Sequence, residues 1–221
     1  MQNYKNLVVQ DNELLSIKST AGNYTAFELK LLSGLISGVH KDDNDLTDKI
    51  MNLKDLGFHK EELKLIAMNK IIDKIMYKIL LFPNGDKAHW FSYIKKYNGD
   101  GILKYRFVKE LVPYLIDYKN YTSYELTELL SLKGKYSILL FEFLTRNNFQ
   151  GGITWSWDEL KEKLQIPKSQ RSNNILNLLE DAHKEINDKT TIKYNYVVDK
   201  KGTGRYKEVR FASCKRVHYS K

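Results

Sequence analysis

Apolar residues recur every three or four positions in two stretches of the first half of the chain, and this spacing predicts two helices. The first helix is predicted from Thr25, a suitable N-cap, to Val39, and the second from Leu63 through Ile66 to residue 75. Between them, a short helical segment at residues 53–58 contains a glycine, a residue type that commonly ends a helix. Strands are predicted at residues 7–9, 77–82, 90–96 and 102–107, with turn sequences at residues 83–86 and 98–101.

The second half of the chain repeats this order of elements with different residues. Helices are predicted at residues 124–144, with an interruption near 133–135, at 157–166 and after Pro167, and strands at residues 153–155, 192–198 and 206–211. Helix, short helix, longer helix and hairpin is the order of a winged helix-turn-helix domain. We therefore predict an α+β fold with two tandem winged-helix domains, at residues 1–120 and 121–221, joined near residues 117–123.

The positive charge of the chain is concentrated in its last quarter. The 221 residues include 36 Lys and Arg against 27 Asp and Glu, a formal net charge of +9. Residues 167–221 contain 13 basic and 6 acidic residues, so they hold +7 of that excess. An excess of basic residues concentrated in one part of a chain favours a polyanionic partner, most often nucleic acid, because phosphates that are neutralised by the protein release their counterions. A solvated, lysine-rich surface is the alternative interpretation.

Composition excludes several protein classes. The chain is 42% hydrophobic and 12% aromatic, which is enough to build cores and excludes a disordered basic tail. It has a single cysteine, Cys214, and no Cys/His cluster typical of structural zinc, so we expect no cofactor. No apolar run is long enough to span a membrane, and residues 1–12 lack a signal-peptide core. These features predict a soluble protein of the cytoplasm.

The sequence lacks motifs typical of enzymes that act on DNA or nucleotides. The five histidines include no His-x-His pair, which tyrosine-dependent rolling-circle initiators use to hold a metal. No GxxxxGK sequence is present to bind ATP phosphates. Adjacent acidic residues such as Asp158 and Glu159 do not converge on one substrate when they lie on a helix. The sequence therefore indicates a protein without enzymatic activity.

Five segments, spread in order over almost the whole chain, carry a resemblance to a known family. They are residues 7–14 (LVVQDNEL), 110–115 (ELVPYL), 130–138 (LSLKGKYSI), 140–144 (LFEFL) and 182–187 (AHKEIN). In these segments the sequence resembles the Rep_3 family of plasmid replication initiators, whose members bind repeated origin sequences called iterons.

The resemblance implies two winged-helix domains and sequence-specific binding to double-stranded plasmid origin DNA, which initiates replication. It also implies self-association, with homodimers that repress the initiator's own promoter and monomers that bind iterons. The host initiator and the replicative helicase are further implied partners, in a bacterial cytoplasm and with no membrane involved. The alternatives are a winged-helix transcriptional repressor without an origin role, which predicts obligate dimers on inverted repeats, and a protein-interaction module without DNA binding.

The predicted helix after Pro167 occupies the place of the family's C-terminal recognition helix. Its polar residues suit base reading, because Arg pairs with guanine and Asn or Gln pairs with adenine in the major groove. The candidate residues are Ser169, Gln170, Arg171, Asn173, Asn174 and Asn177. The other interpretation is that Ser169 caps the helix and that the three Asn side chains form only a hydrated face.

A glycine-flanked turn between the last two predicted strands gathers basic residues that can reach phosphates. These candidates are Lys200, Lys201, Arg205, Lys207 and Arg210, and hairpin lysines that serve only solubility are the alternative. In the N-terminal domain the corresponding helix offers Lys60, Lys64, Asn69 and Lys70, and its wing offers Lys87 and His89. We expect the C-terminal domain to carry the main DNA recognition, and the resemblance assigns dimerisation to the N-terminal domain.

Overall fold

The computed structural model describes residues 7–14, 18–19, 23–43, 46–58, 61, 63–82, 84–95, 97–117, 120–147, 152–201 and 205–216. The chain divides into two compact units, Met1–Leu126 and Thr127–Lys221. Each unit contains, in order, a helix, a short helix, a longer helix and a hairpin, as the sequence predicts. In the part of the chain described, no helix has the length and apolar character needed to cross a membrane.

The first unit combines short helices with three small antiparallel sheets. Its strands are β1 (Leu7–Asp11), β2 (Lys18–Ser19), β3 (Lys49–Asn52), β4 (Ile79–Leu81), β5 (Lys87–His89), β6 (Phe91–Ile94), β7 (Ile102–Phe107) and β8 (Tyr121–Glu125). Its helices are α1 (Ala26–Ile36), α2 (Leu65–Met76) and α3 (Val112–Leu115), with 3-10 helices at Leu53–Leu56 and Lys109–Leu111. The strand orders of the sheets are β1-β8, β2-β4-β5 and β3-β7-β6.

Helix α1 begins at a capping box. The Thr25 hydroxyl accepts a hydrogen bond from the Glu28 N–H at 3.2 Å, and the Glu28 carboxylate accepts one from the Thr25 N–H at 3.0 Å. Further along, Gly34 lies so close to the first 3-10 helix that a Cβ there would be 2.5 Å from Leu56 Cδ1. Gly57, with a φ of 66°, ends that 3-10 helix as the sequence predicts. The close approach at Gly34 therefore sets the short helix directly against α1.

Strand β1 pairs with β8 at the other end of the first unit, where Leu7 lies opposite Glu125. The predicted helix from Tyr124 is therefore wrong at its start, because Tyr124 and Glu125 are in a strand and the helix begins at Leu126. Tyr124 is fully buried, so tertiary packing overrides its local sequence context. The predicted join at residues 117–123 includes the first residues of this paired strand.

The second unit packs its helices against one three-stranded antiparallel sheet. Its helices are α4 (Leu126–Ser131), which begins at the boundary, α5 (Lys135–Arg146), α6 (Trp157–Lys163) and α7 (Ser172–Lys189). Its strands β9 (Gly152–Ser156), β10 (Ile192–Lys201) and β11 (Arg205–Arg216) have the order β10-β11-β9. Trp155 of β9 packs edge-on against Phe143 of α5 and Phe211 of β11, with ring centroids 5.2 and 5.3 Å apart. This aromatic cluster joins helix and sheet in the core.

Candidate nucleic-acid interface

Helix α7, which directly precedes the hairpin of the second unit, begins three residues after Ser169, where the sequence predicts its start. Before it, the Gln170 N–H donates to the Pro167 carbonyl at 2.9 Å and closes a turn. Arg171 is the N-cap, with extended backbone (φ −66°, ψ 141°), and the helix starts at Ser172. Ser169 therefore lies in the turn and does not cap the helix, contrary to one of the two interpretations of the sequence. The prediction that the helix starts at Ser169 is wrong, because the extended backbone of Arg171 breaks the chain out of helical geometry just before Ser172.

The start of α7 presents a face of polar side chains that form no hydrogen bonds with the described residues. Four of the predicted base-reading side chains are exposed there and pair with no residue that the structure describes: Arg171, Asn173, Asn174 and Asn177. The residues buried on the opposite face are Ile175, Leu179, Ala182 and Ile186. Guanidinium and amide groups can form paired hydrogen bonds with guanine and adenine. The exposed face therefore has the chemistry needed to read base edges.

A carboxylate near the C-terminal end of α7 fastens this helix to α5. Glu185 accepts hydrogen bonds from the backbone N–H groups of Lys133 and Gly134, at 2.7 and 3.0 Å, and forms an ion pair with Lys189 at 2.7 Å. Gly134 is the N-cap of α5 and has no capping side chain, so Glu185 fulfils that role from another helix. Burial raises the pKa of Glu185, but hydrogen bonds from Lys189, Ser137 and these backbone groups outweigh burial and hold the pKa at about 2.

Hydrogen bonds also join α7 to β10, the first strand of the hairpin. The Asn187 side chain donates to the Tyr194 carbonyl and accepts from the Tyr194 N–H, both at 2.9 Å, and His183 Nε2 lies 2.9 Å from the same carbonyl. The Tyr196 hydroxyl donates to Glu180 at 3.0 Å. Burial and this carboxylate raise the pKa of Tyr196 to about 12. The helix and the hairpin therefore form one framework for the side chains that they expose.

Among the predicted hairpin cations whose side chains are described, Arg210 and Lys207 form ion pairs. Arg210 pairs with Asp199 across β10 and β11 at 2.7 Å, and Lys207 pairs with its neighbour Glu208 at 3.1 Å. The Arg210 and Lys207 side chains are still 55% and 58% exposed. A phosphate would have to compete with these carboxylates, so the two cations are weaker candidates than their sequence position suggests.

Among the wing cations whose side chains the structure describes, Lys200 is the one without a carboxylate partner. It is exposed, and its Nζ lies 5.0 Å from the centre of the Tyr206 ring, within the range of a cation–π interaction. The Lys201 and Arg205 side chains and residues 202–204 lie outside the described residues. Lys200 is therefore the described hairpin side chain best able to meet a phosphate.

Helix α2, the third helix of the first unit, has fewer free polar groups than the sequence predicts. Asn69 Nδ2 donates to the Tyr97 carbonyl at 3.0 Å, and Asn69 Oδ1 accepts from the Tyr97 N–H at 3.2 Å. This amide joins α2 to the loop after β6, so both polar atoms of Asn69, one of the predicted DNA-contact residues, are engaged within the fold. Lys64 forms an ion pair with Glu61, and Lys70 is exposed.

The remaining predicted DNA-contact residues of the first unit, Lys87, His89 and Lys60, lie outside α2. Lys87 is exposed on β5. His89, on the same strand, has its Nδ1 atom 3.2 Å from the Lys78 carbonyl, so part of its hydrogen-bonding capacity is used within the fold. Lys60 lies outside the described residues.

Two features of this surface were not predicted from the sequence. Glu185 caps backbone groups that precede it by 51 and 52 residues, and only the missing capping side chain at Gly134 could have indicated an external cap. Ile66 fits the apolar spacing of its helix, yet its side chain is 71% exposed. The helix buries Met68, Ile72 and Ile75 on its other side, and apolar spacing alone does not show which side of a helix faces the core.

Comparison with known proteins identifies both units. A family model described as "Initiator Replication protein, WH1" matches residues 7–145, and one described as "Initiator Rep protein, WH2" matches residues 156–212. A similar fold is found in the solved structure "Crystal structure of Pi initiator protein in complex with iteron DNA", with a TM-score of 0.73. The two proteins share 19% sequence identity over 95% of this chain and 97% of that chain. A search of curated proteins gave no match. The predicted tandem winged-helix fold is thus confirmed, and the chain belongs to the Rep3 family of replication initiator proteins.

Proposed function

We propose that this chain initiates plasmid replication by binding repeated sequences of the origin, the iterons, in double-stranded DNA. The observation that carries the proposal is the exposed Arg and Asn face at the start of α7, which has no internal partner among the described residues. Winged-helix domains place the recognition helix before the hairpin in the major groove, and α7 has that position in the second unit. The Pi initiator, which has a similar fold, was solved in complex with iteron DNA.

The chemistry of α7 indicates which bases the second unit reads. The major groove, roughly 12 Å wide, admits one helix, and its base edges display distinguishable donors and acceptors. Arg171 suits the O6 and N7 atoms of guanine, whereas the Asn side chains at 173, 174 and 177 suit adenine. In this proposal Ser169 and Gln170, in the turn before the helix, contact the DNA phosphate backbone at the edge of the groove. The second unit thus provides the main base recognition in this proposal.

The first unit has a double role in this proposal. It contacts DNA through its third helix and hairpin, with Lys60, Lys64 and Lys87 as phosphate ligands, and it provides the homodimer interface. Monomers bind iterons and dimers repress the initiator's own promoter. The initiator acts without a catalytic step, by binding and bending origin DNA and recruiting the host initiator and the replicative helicase in the bacterial cytoplasm.

The proposed contact of the C-terminal hairpin with DNA phosphates can be tested by the salt dependence of DNA binding. Replacing Lys200 and Lys201 together by Ala should weaken binding to all sequences alike and flatten the slope of log K against log salt by about one to two units, because fewer counterions are released. Titrations at several salt concentrations measure the slope. Lys207→Ala is the matched control and should change it less, because Lys207 pairs with Glu208. An unchanged slope in the double variant would remove the wing from the interface.

The proposed function is tested by selecting bound duplexes from a randomised DNA pool at moderate salt and measuring the size of the enriched complex by light scattering. We expect an enriched site of about two helical turns that is bound by one protomer. A palindrome bound only by dimers would instead favour a repressor without an origin role. If no sequence were enriched and affinity vanished as salt rises, the basic residues would confer only non-specific attraction, and the proposal would fail.

A further inference from the structure

Helix α2 exposes apolar side chains at its N-terminal end. Ile66 is 71% exposed and its neighbour Leu65 is 45% exposed. The buried face of the same helix consists of Met68, Ile72 and Ile75. Because an α-helix turns by about 100° per residue, Ile66 lies on the side opposite to this buried face. The core of the first unit therefore gives no reason for an apolar residue at position 66.

The polar side chains at this end of α2 are already engaged. Both polar atoms of the Asn69 amide are hydrogen-bonded to the Tyr97 backbone. The Lys64 ammonium group is paired with Glu61. In the first two turns of α2, the remaining exposed side chains are Leu65, Ile66 and Lys70. Apart from Lys70, the side chains that this end of α2 has available for reading sequence are therefore apolar.

Two lysines of α2 near the apolar pair carry charge that is complementary to a polyanion. Lys70 and Lys74, one and two turns after Ile66, are exposed, and neither pairs with a carboxylate of the described residues. The exposed acidic residues nearby are Asp73, two turns after Ile66 on nearly the same face, and Glu61, which precedes the helix and pairs with Lys64. The major groove of duplex DNA combines phosphates at its edges with methyl groups on its floor, because thymine presents its C5-methyl group there. An apolar tip flanked by lysines matches that combination better than it matches an apolar protein surface.

We propose that Ile66, with Leu65 beside it, contacts the C5-methyl group of one or two thymines in the part of the site that the first unit covers. This inference rests on the proposed DNA-binding function and specifies what the first unit recognises. The two units then read different chemistry: α7 uses hydrogen bonds to guanine and adenine, and α2 uses apolar contact with thymine. The part of the DNA site that the first unit covers must accordingly contain A·T pairs whose thymine methyl groups face α2.

The test removes one methyl group at a time from the DNA. Each thymine of the selected duplex is replaced singly by deoxyuridine, which keeps Watson–Crick pairing and lacks only the methyl group. For the wild-type protein, uridine should weaken binding at only one or two positions, all in the part of the site that the first unit covers. Each such substitution should weaken binding about fourfold, the factor expected for losing the burial of one methyl group. For Ile66→Ala, the same uridine substitutions should have no effect, because the apolar partner is already missing.

Two further variants make this result specific to Ile66. Tyr77→Ala removes another exposed side chain, 76% exposed and directly after α2, and should retain the full uridine effect. Ile66→Val keeps a branched apolar side chain and should show most of the uridine effect that the wild-type protein shows. Thermal unfolding should show equal stability for Ile66→Ala and wild type, because the side chain is exposed.

The possible outcomes separate this inference from the proposed function. If wild-type protein binds its selected site and uridine has no effect at any position, or the same effect on Ile66→Ala as on wild type, the methyl contact is excluded while origin binding stands. If Ile66→Ala changes the oligomeric state without changing the uridine response, the apolar pair is a protein interface and the inference is overturned. If no selected site exists, both proposals fail together.

Discussion

Replacing Arg171 by Ala is expected to relax the preference for guanine at one position of the selected site. Paired hydrogen bonds from Arg to one guanine contribute about 1 to 3 kcal/mol of discrimination, so affinity for the selected site should fall by roughly 5- to 150-fold. Affinity for the same duplex with that guanine replaced should change little. The reason is structural: the Arg171 side chain is exposed at the start of α7 and engaged with no described residue, so its loss disturbs no internal contact.

The measurement is a set of binding titrations on the selected duplex, on duplexes substituted at each position, and on random DNA. Lys168→Ala is the matched control, because it removes an exposed positive charge three residues earlier. Its effect should be uniform across sequences, as expected for a phosphate contact. An equal loss of affinity on selected and random DNA for Arg171→Ala would show that Arg171 contacts phosphate and does not read a base.

Glu185→Gln is expected to lower the free energy of unfolding by about 1 to 2 kcal/mol at pH 7. The pKa of Glu185 is held at about 2 in the folded protein, below its ordinary value of 4.5, which corresponds to roughly 3 kcal/mol before allowance for partial solvent exposure. Because the folded-state pKa is the lower one, this stabilisation is fully present above pH 4.5 and is lost as the pH falls towards 2. The variant should therefore differ most from wild type near neutral pH.

Urea unfolding of both proteins at pH 7 and at pH 3 measures this difference. Asp181→Asn removes another α7 carboxylate, one that is exposed, and should leave the free energy of unfolding nearly unchanged at both pH values. A gap between wild type and Glu185→Gln that does not narrow at pH 3 would contradict the role of the ionised carboxylate. The same variant should also bind DNA more weakly, because Glu185 sets the position of α7 against α5.

Features governed by neighbouring residues were predicted well from the sequence. The N-cap at Thr25 and the helix stop at Gly57 depend on contacts within a few residues, and both are present. The order of helices and hairpins also follows from local apolar spacing, and the two family models confirm the fold that it indicates.

Features governed by distant partners could not be predicted from local patterns. Local sequence makes Asn69 a candidate for DNA contact, but its amide binds Tyr97, 28 residues away. Tyr124 fits a helical pattern, but its pairing with Val8 makes it part of a strand. The cross-strand ion pair of Arg210 depends on hairpin register, which the turn sequence does not fix. In each case tertiary contact decides the role of a residue whose local sequence allows several.

The pairing of β1 with β8 also determines when the first unit can fold during synthesis. Val8 and its partner Tyr124 stand at opposite ends of that unit, so the ribosome produces over a hundred residues between them. At about 5 to 20 residues per second, β1 waits on the order of ten seconds for its partner, with its edge unpaired. Translation must therefore pass almost to the end of the first unit before its sheet closes, just as the second unit starts to emerge.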